Sequence, residues 1–387
     1  MSQHPTLPPL SLYIHIPWCI RKCPYCDFNS HQSNRIPEQQ YILSLLQDLE
    51  IDLDFSQDRQ LSSIFIGGGT PSLFSATSID FLLKGILSKI AFSENIEITL
   101  EANPGAAESR RFDGYREAGV NRLSIGVQSF VDDKLQRLGR IHSGAQAIAA
   151  IGMAKAAGFA NINIDLMHGL PEQSSEEARQ DISQALDLGS QHISWYQLTI
   201  EANTEFFKNP PSLPDENHLE DIQQAGLALL NSNDYKQYEV SAYALPGYQS
   251  LHNNNYWSFG DYLGIGAGAH SKITTFDQTR ENLIINRYWK RRQPEHYLAD
   301  DAKFIAGSRR LDSEEMVSEF MMNSLRLNNG FLFSNFEATT GLSVDLIMTR
   351  IESLQDKKLV LIDGKRVYTT PLGQRFLNTL LEEFLVI

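Results

Sequence analysis

Cys19, Cys23 and Cys26 are the only cysteines of the 387-residue chain, and they fall within eight residues, Cys-Ile-Arg-Lys-Cys-Pro-Tyr-Cys. Three thiolates cannot by themselves close a tetrahedral site made of four cysteines. They can hold three irons of a [4Fe–4S] cluster and leave the fourth iron open to a substrate or cofactor. The spacing therefore points to chemistry more than to scaffolding. The competing reading is three buried, inert thiols. Lys22 and Pro24 between them suit an irregular loop, not a core helix. An odd number of thiols in one short loop does not suit a disulfide framework.

Other polar groups stand where apolar runs end. Gly67-Gly68-Gly69-Thr70-Pro71 would let a backbone approach a ligand closely and offer N–H groups to it; a tight strand-to-helix turn is the plainer use. Glu101 precedes Ala-Asn-Pro and is either a surface acid or a polar ligand contact. Gln128, Arg140 and Asp165 are similar candidates, and a strand-end acid such as Asp165 suits ribose hydroxyls. Gly264-Ile265-Gly266-Ala267-Gly268 lacks the following helix of a dinucleotide fingerprint and reads instead as a glycine-rich wall beside a ligand. His252-Asn253-Asn254-Asn255-Tyr256-Trp257 is either an Asn-rich turn with a packing aromatic pair, or a stacking surface with an imidazole for a flat ligand such as haem.

The elements that must position these groups alternate. Residues 11–16, 61–66, 97–101, 122–126, 161–165 and 193–198 read as strands; residues 37–52, 78–90, 110–118, 145–157 and 175–188 read as helices. This pattern implies βαβ units and a parallel sheet. Six units are too few for a closed eight-stranded barrel, which leaves a partial (β/α)6 barrel or a doubly wound open sheet. Both carry their sites at the carboxyl ends of the strands, where Gly67–Thr70, Glu101, Gln128 and Asp165 stand. Residues 203–216 form a proline-rich loop. Helices at 313–325 and 344–357, a hairpin of 359–362 and 366–369 about Asp363-Gly364, and an amphipathic helix at 370–385 read as a small winged-helix-like α+β module. The expected division is residues 1–300 and 301–387.

Composition narrows the setting. The chain is 42% hydrophobic and 21% charged, as globular proteins are. Its net charge of −14 disfavours a nucleic-acid partner. From residue 313 onward there are 7 basic and 10 acidic residues, so the module reads as a lid or protein-docking unit rather than a DNA reader. No run reaches membrane-spanning length, and the first ten residues lack an export pattern. With so few cysteines, a reducing cytoplasm is the expected location.

The Cys-x3-Cys-x2-Cys spacing resembles the signature of the radical S-adenosylmethionine (SAM) superfamily. With the stretches at 13–19, 67–72, 101–105, 126–130, 165–171 and 264–271, the chain resembles the family of oxygen-independent coproporphyrinogen III oxidase over nearly its whole length. Two features lean toward the HemW-type haem chaperones within it: the His-Asn-x-x-Tyr-Trp string, and Phe28 where the oxidase carries a fourth cysteine. The resemblance implies a partial (β/α)6 radical SAM barrel. It implies a [4Fe–4S] cluster on Cys19, Cys23 and Cys26, and SAM at Tyr13, Tyr25, Gly67, Gly68, Gly69, Thr70, Glu101, Gln128, Arg140 and Asp165. It also implies haem at His252, with His15, His31, His168 and His270 as alternative ligands. Expected partners are haem, a haem-receiving respiratory apoprotein and an electron or haem donor; peripheral membrane contact and oligomeric state stay open. The alternative reading is the oxidase itself, converting two propionates to vinyls, with Arg287, Lys290, Arg291 and Arg292 as propionate partners or a solvated basic face.

Overall fold

A computed structural model describes residues 6–105, 110–279, 282–299 and 303–385. Leu-Ser-Leu-Tyr-Ile-His-Ile forms the first strand, β1 (Leu10–Ile16), and all but Tyr13 in it are buried. Burial on both faces is what a central parallel strand requires. β1 leads into the cysteine loop, whose ends pair as β2 (Trp18–Cys19) and β3 (His31–Gln32). Five more parallel strands follow, β4 (Leu61–Gly68), β5 (Phe92–Ala102), β6 (Arg122–Gln128), β7 (Ile162–His168) and β8 (His192–Gln197), and β1 and β4–β8 lie side by side in that order. Helices Glu38–Asp52, Ala76–Leu87, Phe112–Glu117, Gly144–Ala156 and Ser175–Asp187 return the chain between them. Ser143 with Gln146, and Ser174 with Glu177, close capping boxes at the last two. These are the six βα units expected, forming a partial α/β barrel.

The sheet continues beyond both ends of that set. β9 (Lys236–Glu239) and β10 (Ala242–Ala244) extend it antiparallel past β8. On the other side, β11 (Asp261–Ile265) pairs parallel with β1 and is a seventh parallel strand. β12 (His270–Phe276), β13 (Leu283–Lys290) and β14 (Ile305–Arg310) then add antiparallel strands, giving twelve in all. The glycine-rich string at 264–268 therefore begins inside β11 and ends in the turn to β12. Helix Glu216–Ser232, unforeseen from the sequence, follows the proline-rich loop and is capped by the Asp215 side chain. That loop itself contains one helical turn, Glu205–Lys208.

The C-terminal module has a separate apolar cluster around Phe320, Phe331 and Phe336, which also takes in Phe259 from the turn before β11 and Ile285 from β13. Its strands β15 (Phe331–Leu332), β16 (Val360–Asp363) and β17 (Arg366–Thr369) form a small antiparallel sheet. The expected helix at 370–385 is two short ones, Pro371–Arg375 and Leu377–Glu382, divided at Phe376. Among the described residues no helix is long and apolar enough to cross a membrane.

A buried charge cluster pins β11 in place. Asp261 Oδ1 accepts from Lys272 Nζ at 3.0 Å and from Thr274 Oγ1 at 2.7 Å; Oδ2 accepts from Arg59 Nη1 at 2.8 Å. Burial pushes this carboxyl up, but Lys272 and Arg59 outweigh it and hold it below the usual range. Removing one member of such a cluster strands the other charges in a dry interior. Asp261→Ala is expected to cost about 3–5 kcal/mol, read from urea unfolding; a loss under about 1 kcal/mol would contradict this account.

Candidate functional site

The cysteine loop hangs from the end of β1. Trp18 is buried against Tyr41 and Phe74, which fixes the strand that carries Cys19. The three thiols are free and half-buried. Polar groups surround each: Thr70 Oγ1 donates to Cys19 Sγ at 3.4 Å, Arg140 Nη1 donates to Cys23 Sγ at 3.6 Å, and Ser30 Oγ lies 3.7 Å from Cys26 Sγ. Two of these partners are themselves joined. Asn103 Nδ2 donates to Thr70 Oγ1 at 3.1 Å, and Arg140 Nη2 donates to Asn103 Oδ1 at 2.7 Å. Burial raises the Cys19 and Cys26 thiols above their ordinary value. Among the described residues no three Cys, His, Asp or Glu side chains converge on one ion. A [4Fe–4S] cluster takes each thiolate on a different iron, which three separate thiols of one loop can supply.

The glycine strip ends β4 and packs tightly. A Cβ on Gly67 would lie 3.0 Å from Glu101 Oε2, and Gly68 has φ +111°, where a side chain would strike His15. The N–H of Gly68 donates to Glu101 Oε2 at 3.0 Å, and those of Gly69 and Thr70 donate to the carbonyls of Ile16 and Trp18. These donors, expected to face a ligand, are therefore engaged within the protein, because the strip must hold the cysteine loop against the sheet. Burial and the neighbouring Asp165 charge raise Glu101 to about 7. Asp165 accepts from Ser124 Oγ and Asn163 Nδ2, both at 2.8 Å. Gln128 sits at a bulge with φ +70°, and Tyr196 Oη donates to its Oε1 at 2.7 Å. An unfavourable backbone angle at a strand end is a common mark of functional positions.

These groups wall one cavity of about 500 Å³: the three cysteines, Tyr25, Gly68, Gly69, Thr70, Glu101, Gln128, Arg140 and Asp165 all line it. Arg140 Nε is buried there without a partner among the described residues. Asn103, Ser194, Tyr196, Glu239 and Arg326 also line it and were missed. Asn103 and Tyr196 stand at strand ends and were findable. Glu239 and Arg326 are brought in by β9 and the C-terminal module, with no local signal.

Gly67 and Tyr13 are placed elsewhere. Gly67 lines neither of the two large cavities, and Tyr13 faces a second one of about 770 Å³, with His15, Phe65, His252, Tyr262 and His270. The two cavities share Phe28, Gly68, Glu101, Asn253 and Trp257. The Asn-rich string is a helix, Leu251–Trp257, not a turn. Its N-terminal amides at Leu251 and His252 donate to Glu97 Oε1. Helical spacing turns His252 and Tyr256 to the second cavity and Asn253 and Trp257 to both, while Asn255 bonds Ser11 Oγ.

His252 is buried, and burial with the Arg122 charge lowers it to about 3, so its ring is neutral at physiological pH. Its Nδ1 lies 3.2 Å from Ser63 Oγ, whose own proton goes to Ser11 Oγ. Nδ1 is therefore the protonated nitrogen, and Nε2 keeps its lone pair without a partner among the described residues. His15 differs: Nδ1 meets Tyr13 Oη and Nε2 meets the Asn29 carbonyl, both at 2.9 Å, which leaves no nitrogen for a metal. His31 and His168 line neither cavity.

The basic run at 287–292 is not a solvated face. Lys290 is buried between Asp48 at 2.5 Å and Asp52 at 2.6 Å, and Arg287 Nε donates to Glu319 Oε2 at 2.8 Å. β13 turns these residues inward, and Arg292 is the exposed member at the cavity rim.

Residues 13–185 match the model of the radical SAM superfamily, and residues 311–376 match that of the HemN C-terminal domain. The chain is 53% identical to the heme chaperone HemW of Haemophilus influenzae, covering 98% of this chain and 99% of that protein. It is 48% identical to the Escherichia coli heme chaperone HemW at the same coverages. The chain belongs to the HemW family. Another relative, the mitochondrial radical S-adenosyl methionine domain-containing protein 1 of Mus musculus, is 34% identical over 96% of this chain and 86% of its own length. The structure of coproporphyrinogen III oxidase (HemN) from Escherichia coli superposes with a TM-score of 0.81, covering 98% of this chain and 90% of that one, at 23% identity. That likeness establishes the shared fold.

In this HemW family member Glu101 titrates between its ordinary 4.5 and about 7. The unfolded chain releases this proton above pH 4.5, while the folded chain holds it until about pH 7. Stability is therefore lost as pH rises through that window. Glu101→Gln keeps an acceptor for Gly68 N–H and removes the titration. Without added ligand the variant is expected to gain about 1–3 kcal/mol over wild type at about pH 8, allowing for water at the cavity wall, and nothing near pH 4. Urea unfolding at the two pH values checks this; an equal difference at both would refute it.

Proposed function

We propose that this chain is a haem chaperone that carries a [4Fe–4S] cluster and SAM in the first cavity and haem in the second, and passes haem to a haem-dependent respiratory protein in the cytoplasm. Cys19, Cys23 and Cys26 would hold the cluster. Tyr25, Gly68, Gly69, Thr70, Glu101, Gln128, Arg140 and Asp165 would surround SAM, with Gly67 and Tyr13 acting from behind that wall. The cluster and SAM together would supply an open iron and a one-electron route to the sulfonium. Thr70 and Arg140 would orient and polarise the thiolates, since hydrogen bonds to cluster sulfurs set its potential. Glu101 and Asp165 would answer the positive charge of SAM.

The observation that carries the reading is His252. A neutral imidazole with one nitrogen donating to Ser63 and the other open toward a 770 Å³ cavity is what an iron ligand needs. The cavity's size is ordinary for a large ligand, and Phe65 and Tyr13 offer ring faces beside the imidazole. Relatives at 48–53% identity are named heme chaperone HemW, which supports the same reading. The oxidase reading is the weaker one. Phe28 stands where its fourth cysteine would be, and two of the four proposed propionate partners are engaged in ion pairs.

Anaerobically reconstituted protein, given SAM and reductant, separates the two readings. Stoichiometric haem uptake with no porphyrin product is expected; conversion of coproporphyrinogen III to protoporphyrinogen would make it the oxidase. His252→Ala should change the haem optical spectrum and lower affinity. Ser63→Ala, which loses the orienting bond, should weaken haem binding by roughly 10-fold. Unchanged titrations in both variants would mean that the ligand is another residue.

A further inference from the structure

The second cavity holds a second imidazole whose nitrogens are open. Of its three histidines, His15 has both ring nitrogens engaged and His252 has one. His270 has neither ring nitrogen hydrogen-bonded among the described residues, and it is exposed at the cavity wall. It opens β12, two strands from β1 in the sheet. A Cβ on Gly264 would collide with the His270 carbonyl, so that glycine lets the turn fold close against β11.

His252 and His270 line the same cavity of about 770 Å³, and the Tyr13 ring lies 6.4 Å from that of His252. A cavity of that size takes a large flat ligand, and an iron with two imidazole ligands needs their nitrogens about 4 Å apart, at ~2 Å per bond. Arg292, at the same rim, offers a cation to a propionate.

We propose that His270 is the second axial ligand of the haem iron, opposite His252, and the ligand that is released first on transfer. This rests on the haem-carrier reading above. The two rings differ in support. His252 is buried and held by Ser63, whereas His270 is exposed and held by nothing on its ring among the described residues. Ligand exchange with a receiving protein would begin at the less constrained side.

The test uses ferric haem added to the full-length chain, followed by optical and electron paramagnetic resonance spectroscopy. Wild type is expected to give a six-coordinate low-spin spectrum at one haem per chain. His270→Ala is expected to give a high-spin spectrum at unchanged stoichiometry, returned to low spin by added imidazole, and faster loss of haem to apomyoglobin. His270→Ala with the wild-type spectrum and transfer rate, or a wild-type spectrum that is already five-coordinate, would overturn the assignment of His270 and leave the carrier reading standing. Absence of stoichiometric haem uptake by wild type would overturn the carrier reading itself, and this inference with it.

Discussion

A hydrogen-bond chain from Cys19 through Thr70, Asn103 and Arg140 to Cys23 ties the loop that carries the thiols to the ends of three strands. Thr70 follows β4, Asn103 follows β5, and Arg140 also donates to the Gly126 carbonyl of β6 at 2.7 Å. A loop of irregular backbone has little to hold it except such bonds. The glycine strip completes the clamp, because Gly69 and Thr70 donate to the carbonyls of Ile16 and Trp18 on either side of Pro17. The positions of the thiols, and so the shape of the first cavity, follow from these contacts.

The electrostatics are arranged around neutral groups as much as charged ones. The chain carries −14 overall, yet its deepest charges are compensated inside, at Asp261 with Lys272 and Arg59, and at Lys290 with Asp48 and Asp52. Around the cavities, burial keeps His252 uncharged and lifts Glu101 toward neutrality. An uncharged imidazole is the form that binds a metal. A carboxyl poised near pH 7 returns to its ionised form when a cation comes beside it, so its charge follows the contents of the cavity.

What was legible in the sequence was the part encoded locally. Runs such as 11–16 and 61–66 are apolar because both faces of a central parallel strand are covered, so six strands and the motifs at their ends could be read directly. β12–β14 were not read because polar residues interrupt their apolar runs, as in His-Ser-Lys at the start of β12 and Gly-Ser-Arg-Arg in β14, and β14 is exposed along most of its length. Lys290 looked solvated because its partners, Asp48 and Asp52, come from a helix about 240 positions earlier. The string at 252–257 was visible by composition, but its helical conformation rests on Glu97, a residue of β5 that receives the helix's first amides. Tertiary partners of this kind leave no trace in spacing.

The helix Leu251–Trp257 joins the two cavities into one device. Trp257 and Asn253 line both, and Arg326 from the C-terminal module lies 4.5 Å over the Trp257 ring while pairing with Glu239 on β9. Trp257 Nε1 and Arg326 Nε are buried there without hydrogen bonds among the described residues. The C-terminal module therefore contributes to the wall of the first cavity through Arg326, stacked on Trp257 and paired with Glu239. Trp257 and Glu101 thus form part of the wall of both cavities, so a ligand in either one would meet the same two side chains.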